Sequence, residues 1–240
     1  MNNPGYYQTL LDTYPKKIPF PYEEAIDLDL HRTFPEIEYY QHPENLQKLK
    51  NILMAFSMRN ITIGYCQGFN YIVAKLLLIF KNEENAFWIF TQIAENYLPF
   101  DYYIKFTGVR TDMEIVKKII KSSIPGIDMN SELCISNLIT RCFISLFSQN
   151  VNDKILYSIW DAFFIYGNIT LYRAFIWAVF LLFDITKMKK YSIETIHSVL
   201  TEKLQKVEDT NTLNYFLICI VDLMKRISNI IETSLPKKRL

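Results

Sequence analysis

Glycine is scarce in this chain, with six in 240 residues. No stretch has the Gly/Ser composition of a flexible linker, and no low-complexity segment or internal repeat is present. An excess of one charge sign is missing too. Lys and Arg total 26 against 25 Asp and Glu, a net charge of +1. Apart from residues 236–240, neither the basic excess nor the basic stripe usual in a nucleic-acid binder is seen. The short "PKKRL" at residues 236–240 reads as a solvated basic tail. No two of the four cysteines have C-x-x-C spacing, and His31, His42 and His197 lie far from them in sequence. A structural zinc site is therefore not expected, and the cysteines read as reduced core residues of a cytoplasmic protein. The opening "MNNPGYYQTLL" lacks the basic and apolar regions of a signal peptide. Long hydrophobic runs are absent as well. The most apolar stretch, Ala162 to Phe183, is interrupted by Gly167-Asn168 and Arg173. A membrane span needs about twenty apolar residues. Two buried helices joined by a turn are expected there.

What is present is apolar, aromatic and helical in its periodicity. Half the residues are hydrophobic, and there are sixteen Tyr and seventeen Phe. Ile135, Leu138, Ile139, Cys142, Phe143 and Leu146 recur at the spacing of one helix face, with Asn130 or Ser131 able to cap its start. In "TDMEIVKKIIK" acidic residues precede basic ones, which complements a helix dipole. Pro125-Gly126 punctuates the chain after it. Asn82 is placed to cap the next upstream helix and Pro99 to stop it. A further helix is expected from Asn152 to Gly167, another after Ser192, and a last one from about Thr212 to Ile231. No stretch alternates with period two. The fold class expected is all-α.

Two short stretches carry chemistry. In "AIDLDLHRTFPEI", Asp29 and Arg32 stand at i and i+3, so on a helical turn the carboxylate can orient the guanidinium. Pro35 disfavours helix before it, so the chain turns out and leaves Arg32 free to reach forward. An arginine placed in this way suits anion recognition; an ordinary surface ion pair is the plainer alternative. In "IGYCQGFNYI", Gln67 is a lone uncharged polar side chain at the front of an apolar helix through Ile72, Val73, Leu76, Leu77 and Phe80. Taken by itself it could be a polar residue at a helix start. Gly68 beside it permits close backbone approach.

Together the two stretches resemble the paired signatures of the TBC-domain family of Rab GTPase-activating proteins. "I-x-x-D-x-x-R" at Ile26, Asp29 and Arg32, followed by "TFP", is similar to one signature. "Y-x-Q" at Tyr65 and Gln67 is similar to the other. "LKNILMAFSMRNITIGYCQG", "NAFWIF", "TGVRTD" and "SIWDAFFIYGNITLYRAFIWA" also fit the family in order. Two features depart from it. The family's upstream R-x-W signature is not in this sequence, and its frequent Pro-Trp pair is replaced by Cys142-Phe143.

The resemblance implies a TBC-like fold of two helical subdomains forming a V-shaped cleft. One domain would span residues 1–235, with an N-terminal subdomain to about 128 carrying both signatures and a C-terminal one from about 129. It implies that Arg32 and Gln67 act as catalytic fingers on a Rab-family GTPase in its GTP form, supported by Asp29, Tyr65 and Gly68. No cofactor of its own is implied, since GTP and Mg would belong to the partner; the chain has no G-x-x-x-x-G-K-[ST] loop. The implied role is in vesicle traffic, in the cytoplasm or peripherally on endomembranes through the partner. The alternatives are an adaptor that binds a small GTPase without stimulating it, a cysteine hydrolase using Cys66 with His31 or His197, and a helical scaffold.

Overall fold

The computed structural model describes residues 3, 5–13, 20–123, 132–181, 198, 202–208, 211 and 213. Among them there is no strand. The chain divides into two compact units, Met1–Lys105 and Phe106–Leu240. The subdomain boundary expected near residue 128, the Pro125-Gly126 turn and the Asn130 and Ser131 caps lie outside the described residues. So do the Ser192 cap and most of the last expected helix.

The first unit is built around three helices. These are α4 (Pro43–Arg59), α5 (Phe69–Phe80) and α6 (Glu83–Gln92). Pro43 opens α4 at a position where its missing N–H costs nothing. Leu49, Ile52, Leu53 and Phe56 of α4 are fully buried, as are Phe69, Ile72 and Val73 of α5. Asn82 caps α6 as expected, its side chain accepting from the Asn85 N–H at 2.9 Å. The α-helix ends earlier than Pro99. It passes at Ile93 into a π-helical turn, Ile93–Tyr97.

The core of this unit is aromatic. Phe56, Phe69, Phe90 and Tyr103 meet edge-to-face, with centroids 4.6 Å apart for Phe69–Tyr103, 4.7 Å for Phe56–Phe90 and 4.9 Å for Phe69–Phe90. Such pairs add about 0.5–1.5 kcal/mol each beyond area burial. Phe69 is the first residue of α5, so the rings anchor the point where the chain leaves the "YCQG" loop. The short helices α1 (Tyr6–Thr13), α2 (Glu23–Leu30) and α3 (Glu38–Gln41) complete the unit. On α1, Tyr7 packs on Phe87 at 5.0 Å and donates to Glu83 at 2.9 Å. The Arg59 guanidinium lies against both Tyr6 and Trp88, at 5.4 and 5.5 Å.

The second unit contains α7 (Thr107–Ser123), α8 (Glu132–Ile144), α9 (Asp153–Tyr166) and α10 (Ile169–Leu181). Asn152 caps α9 through the Ile155 N–H at 3.0 Å, and Gly167 ends it with φ +72°. The Gly167-Asn168 break expected in the apolar stretch is therefore real. Asp112 on α7 is buried and accepts from Tyr172 of α10 at 2.8 Å. The α8 face stops short of its expected end. The helix closes at Ile144, and Leu146 and Phe147 take positive φ while remaining buried. A bond from Phe147 N–H to Cys142 O at 2.7 Å and one from Trp160 Nε1 to Leu146 O at 2.9 Å hold that turn. Among the described residues, no helix is long and apolar enough to cross a membrane.

Candidate functional site

Helix α2 buries Ile26, Asp29 and Leu30 and leaves Leu28 exposed. It ends at Leu30. The Arg32 and Thr33 N–H groups then bond to Asp29 O and Leu30 O in successive turns. Arg32 thus stands just past the helix end. Its Nη2 lies 2.5 Å from Asp29 Oδ1, and its side chain is 50% exposed against 6% for Asp29. The carboxylate is the fixed member of the pair, and the guanidinium keeps half its surface toward solvent. Buried ion pairs are held by their remaining hydrogen bonds. Here the other oxygen, Asp29 Oδ2, accepts from Tyr65 Oη at 2.5 Å. Burial, and then the hydrogen bond and charge of Asp29, push the Tyr65 phenol above its ordinary pKa. It stays protonated, so it is a donor.

The turn after Arg32 is strained. Phe34, immediately before Pro35, has φ +47°. Such a conformation costs about 1–3 kcal/mol and persists where its surroundings enforce it. The Phe34 ring stands edge-on to Tyr71 at 5.3 Å, and Lys75 Nζ lies 4.2 Å over it.

The loop from Ile61 to Gly68 is tied at both ends. At its start, Asn60 Oδ1 accepts from the Ile63 N–H at 3.1 Å, and Asn60 Nδ2 donates to Glu95 Oε1 at 3.1 Å. Glu95 is itself held by two bonds from Arg59, at 3.1 and 2.9 Å. At its end, Phe69 N–H bonds to Cys66 O at 3.0 Å, closing a turn over Gln67 and Gly68. Gly68 has φ +114°, a conformation open to glycine and strained for other residues. Gln67 is exposed at the tip. Among the described residues its side-chain amide has no hydrogen-bond partner. Cys66 beside it is buried, and burial pushes its thiol up to about 12, with the Asp29 charge adding to the effect. A protonated, enclosed thiol does not suit nucleophilic attack.

Five residues singled out in the sequence, Asp29, Arg32, Tyr65, Gln67 and Gly68, thus fall within one unit. Asp29, Arg32 and Tyr65 form one hydrogen-bonded chain, and Gly68 forms the turn that carries Gln67. His197 lies outside the described residues. Among those that are described, no group of His, Cys, Asp and Glu is placed to hold a metal ion.

Residues 4–188 match the family model described as RabGAP-TBC, the Rab-GTPase-TBC domain. The chain belongs to the TBC-domain family. Growth hormone-regulated TBC protein 1-A of Danio rerio is 37% identical over 180 residues, covering 71% of this chain and 49% of that protein. TBC1 domain family member 2B of Homo sapiens is 35% identical over 235 residues, covering 94% of this chain and 22% of that protein. The TBC chain thus spans half or less of the length of these relatives. In fold it is similar to the Chlamydomonas flagellar RabGAP TBC domain (TM-score 0.77, 21% identity, 92% of this chain and 74% of that one). It is also similar to the Ypt/Rab-GAP domain of Gyp1p (TM-score 0.71, 16% identity, 93% and 79%).

Sequence reasoning missed Asn70 and Thr33. Asn70 is fully buried on the first turn of α5. Its Oδ1 accepts from the Gly68 N–H at 3.0 Å, and its Nδ2 donates to Thr33 Oγ1 at 2.8 Å. The signal was the asparagine inside the apolar run "GFNYIVAKLLLIF", because a buried amide must find partners.

Proposed function

We propose that this TBC domain stimulates GTP hydrolysis by a Rab-family GTPase, supplying Arg32 and Gln67 in trans. Hydrolysis needs neutralisation of charge on the transferring phosphoryl oxygens and a positioned water. Arg32 serves the first need. Its guanidinium stays charged and presents a planar donor fork, and Asp29 holds it from behind. Gln67 serves the second. An amide both donates and accepts, so it can hold a water against a phosphate without acting as a nucleophile. GTP and Mg belong to the partner, and any membrane association of this chain runs through that partner, in keeping with a role in vesicle traffic.

The observation that carries this reading is the half-exposed Arg32 fixed by the buried Asp29, which Tyr65 holds from its other oxygen. An incidental surface ion pair gains little and has no buried backing. Single-turnover hydrolysis by a panel of GTP-loaded Rabs, with and without the protein, tests it. Acceleration of at least one Rab, lost in Arg32→Ala, is expected. Binding to a GTP-loaded Rab without acceleration would instead make the protein an adaptor.

A further inference from the structure

Two side chains that act on one phosphoryl group must arrive at a fixed separation. Arg32 and Gln67 come from separate segments, the turn after α2 and the turn before α5. Asn70 bonds to both segments with one planar amide. Its Nδ2 donates to Thr33 Oγ1 at 2.8 Å, one residue beyond Arg32. Its Oδ1 accepts from the Gly68 N–H at 3.0 Å, one residue beyond Gln67. Thr33 Oγ1 in turn donates to Asp29 O at 2.6 Å, within the residue that holds the guanidinium. Asn70 and Thr33 are 0% and 1% exposed, so no water competes for these bonds. A rigid amide with both ends bonded in a dry site works as a spacer, whereas a helix-start asparagine with only a local role would bond to its own turn alone.

We propose that Asn70 is a positioning residue that sets the separation of Arg32 and Gln67, with Thr33 as its link to the arginine segment. The proposal rests on the dual-finger reading for its catalytic consequence. Its structural content, that the two segments are coupled through Asn70, stands without a GTPase.

The test uses Asn70→Ala, Thr33→Val and Thr33→Ser. Thr33→Val keeps the side-chain shape and removes the hydroxyl, so the link is cut even if Asn70→Ala fails to fold. Thr33→Ser keeps the hydroxyl. Stimulated single-turnover hydrolysis should fall on the order of 10²-fold in Asn70→Ala and Thr33→Val, the scale of an ångström misplacement. Apparent affinity for the GTP-loaded Rab should hold, and Thr33→Ser should retain activity. In a Gln67→Ala background the same two substitutions should cost far less, because only one finger is left to place. Equal fold-losses in both backgrounds would overturn the proposal. Amide hydrogen exchange supplies the second arm. The Gly68 N–H should exchange faster in Thr33→Val than in the wild type or Thr33→Ser, with α6 amides unchanged. An unaltered Gly68 rate would show that the segments are not coupled through Thr33 and Asn70. A wild-type protein that accelerates no Rab would refute the dual-finger reading, and the catalytic consequence with it. The exchange arm alone would then decide whether Asn70 joins the two segments.

Discussion

Tyr65→Phe removes one oxygen atom and isolates the support behind Arg32. The ring should stay in place, because its edge-on contact with Phe69, at 6.2 Å, does not involve the hydroxyl. What is lost is the 2.5 Å bond to Asp29 Oδ2. Asp29 has only 6% of its side chain exposed, so water cannot readily replace the phenol. A hydrogen bond to a charged group contributes about 1.5–3 kcal/mol. A stability loss of about 2 kcal/mol is expected, read as a lower denaturation midpoint with unchanged slope. Arg32 keeps its contact with Asp29 Oδ1, so catalysis should fall by less than on losing the arginine. If the full 2 kcal/mol were expressed in the transition state, the rate would drop roughly 30-fold, at about 1.4 kcal/mol per factor of ten. The assay is single-turnover hydrolysis with Tyr65→Phe, Asp29→Asn and the double variant. The double variant should lose little beyond Asp29→Asn, since the phenol acts through that carboxylate. Wild-type stability and wild-type rate in Tyr65→Phe would refute the chain of support. So would losses that multiply in the double variant.

Arg32→Ala should reduce stimulated hydrolysis on the order of 10³-fold or more, the range of an arginine finger, while circular dichroism shows the helical fold retained and the thermal midpoint falls, because the buried Asp29 carboxylate loses its cation; Arg32→Lys should also fail in hydrolysis, because an ammonium cannot reproduce the planar fork. Gly64→Ala should destabilise the protein by at least about 1–3 kcal/mol in denaturant unfolding. Gly64 has φ +65°, and an added Cβ would collide with the Tyr22 phenol; Tyr22→Ala should recover only the part due to the collision. Cys66 should resist alkylation at neutral pH in the folded protein. Its thiol is raised from 9.0 to about 12 in the folded state. The unfolded chain therefore loses this proton first, and the thiol's contribution to stability is full below pH 9 and declines as pH rises toward 12. In Cys66→Ser the alkaline loss of stability should be shallower than in the wild type.

The fold class was legible because apolar residues recur at helical spacing and caps stand where helices begin. Asn82 caps as its position suggested, and α9 lies between Asn152 and Gly167 as expected. The end of α8 was not legible. Leu146 continues the apolar spacing of that helix, yet the backbone has already turned to positive φ, and burial alone does not reveal the change. The π-helical turn at Ile93–Tyr97 was hidden for a related reason. Its Glu95 is fixed by Arg59 and Asn60, more than thirty residues away in sequence. At the site, the spacing of Asp29 and Arg32 was enough to expect their contact. The bond from Tyr65 to Asp29 could not be read, because it depends on where α5 brings the loop. Asn70 was passed over for the same reason, since its two partners lie on either side of a tertiary contact.

In the dual-finger reading, Gln67 positions the attacking water in place of a glutamine of the GTPase. Single-turnover hydrolysis with a responsive Rab, and with the same Rab lacking its own catalytic glutamine, decides whether it does. Each is measured with wild-type protein and with Gln67→Ala. If Gln67 is supplied in trans, the glutamine-less Rab is still stimulated by the wild type, and Gln67→Ala abolishes that stimulation. Binding to a transition-state mimic persists in part through Arg32. If the intact Rab is stimulated and the glutamine-less Rab is not, the water is placed by the GTPase itself, and the dual-finger account is wrong.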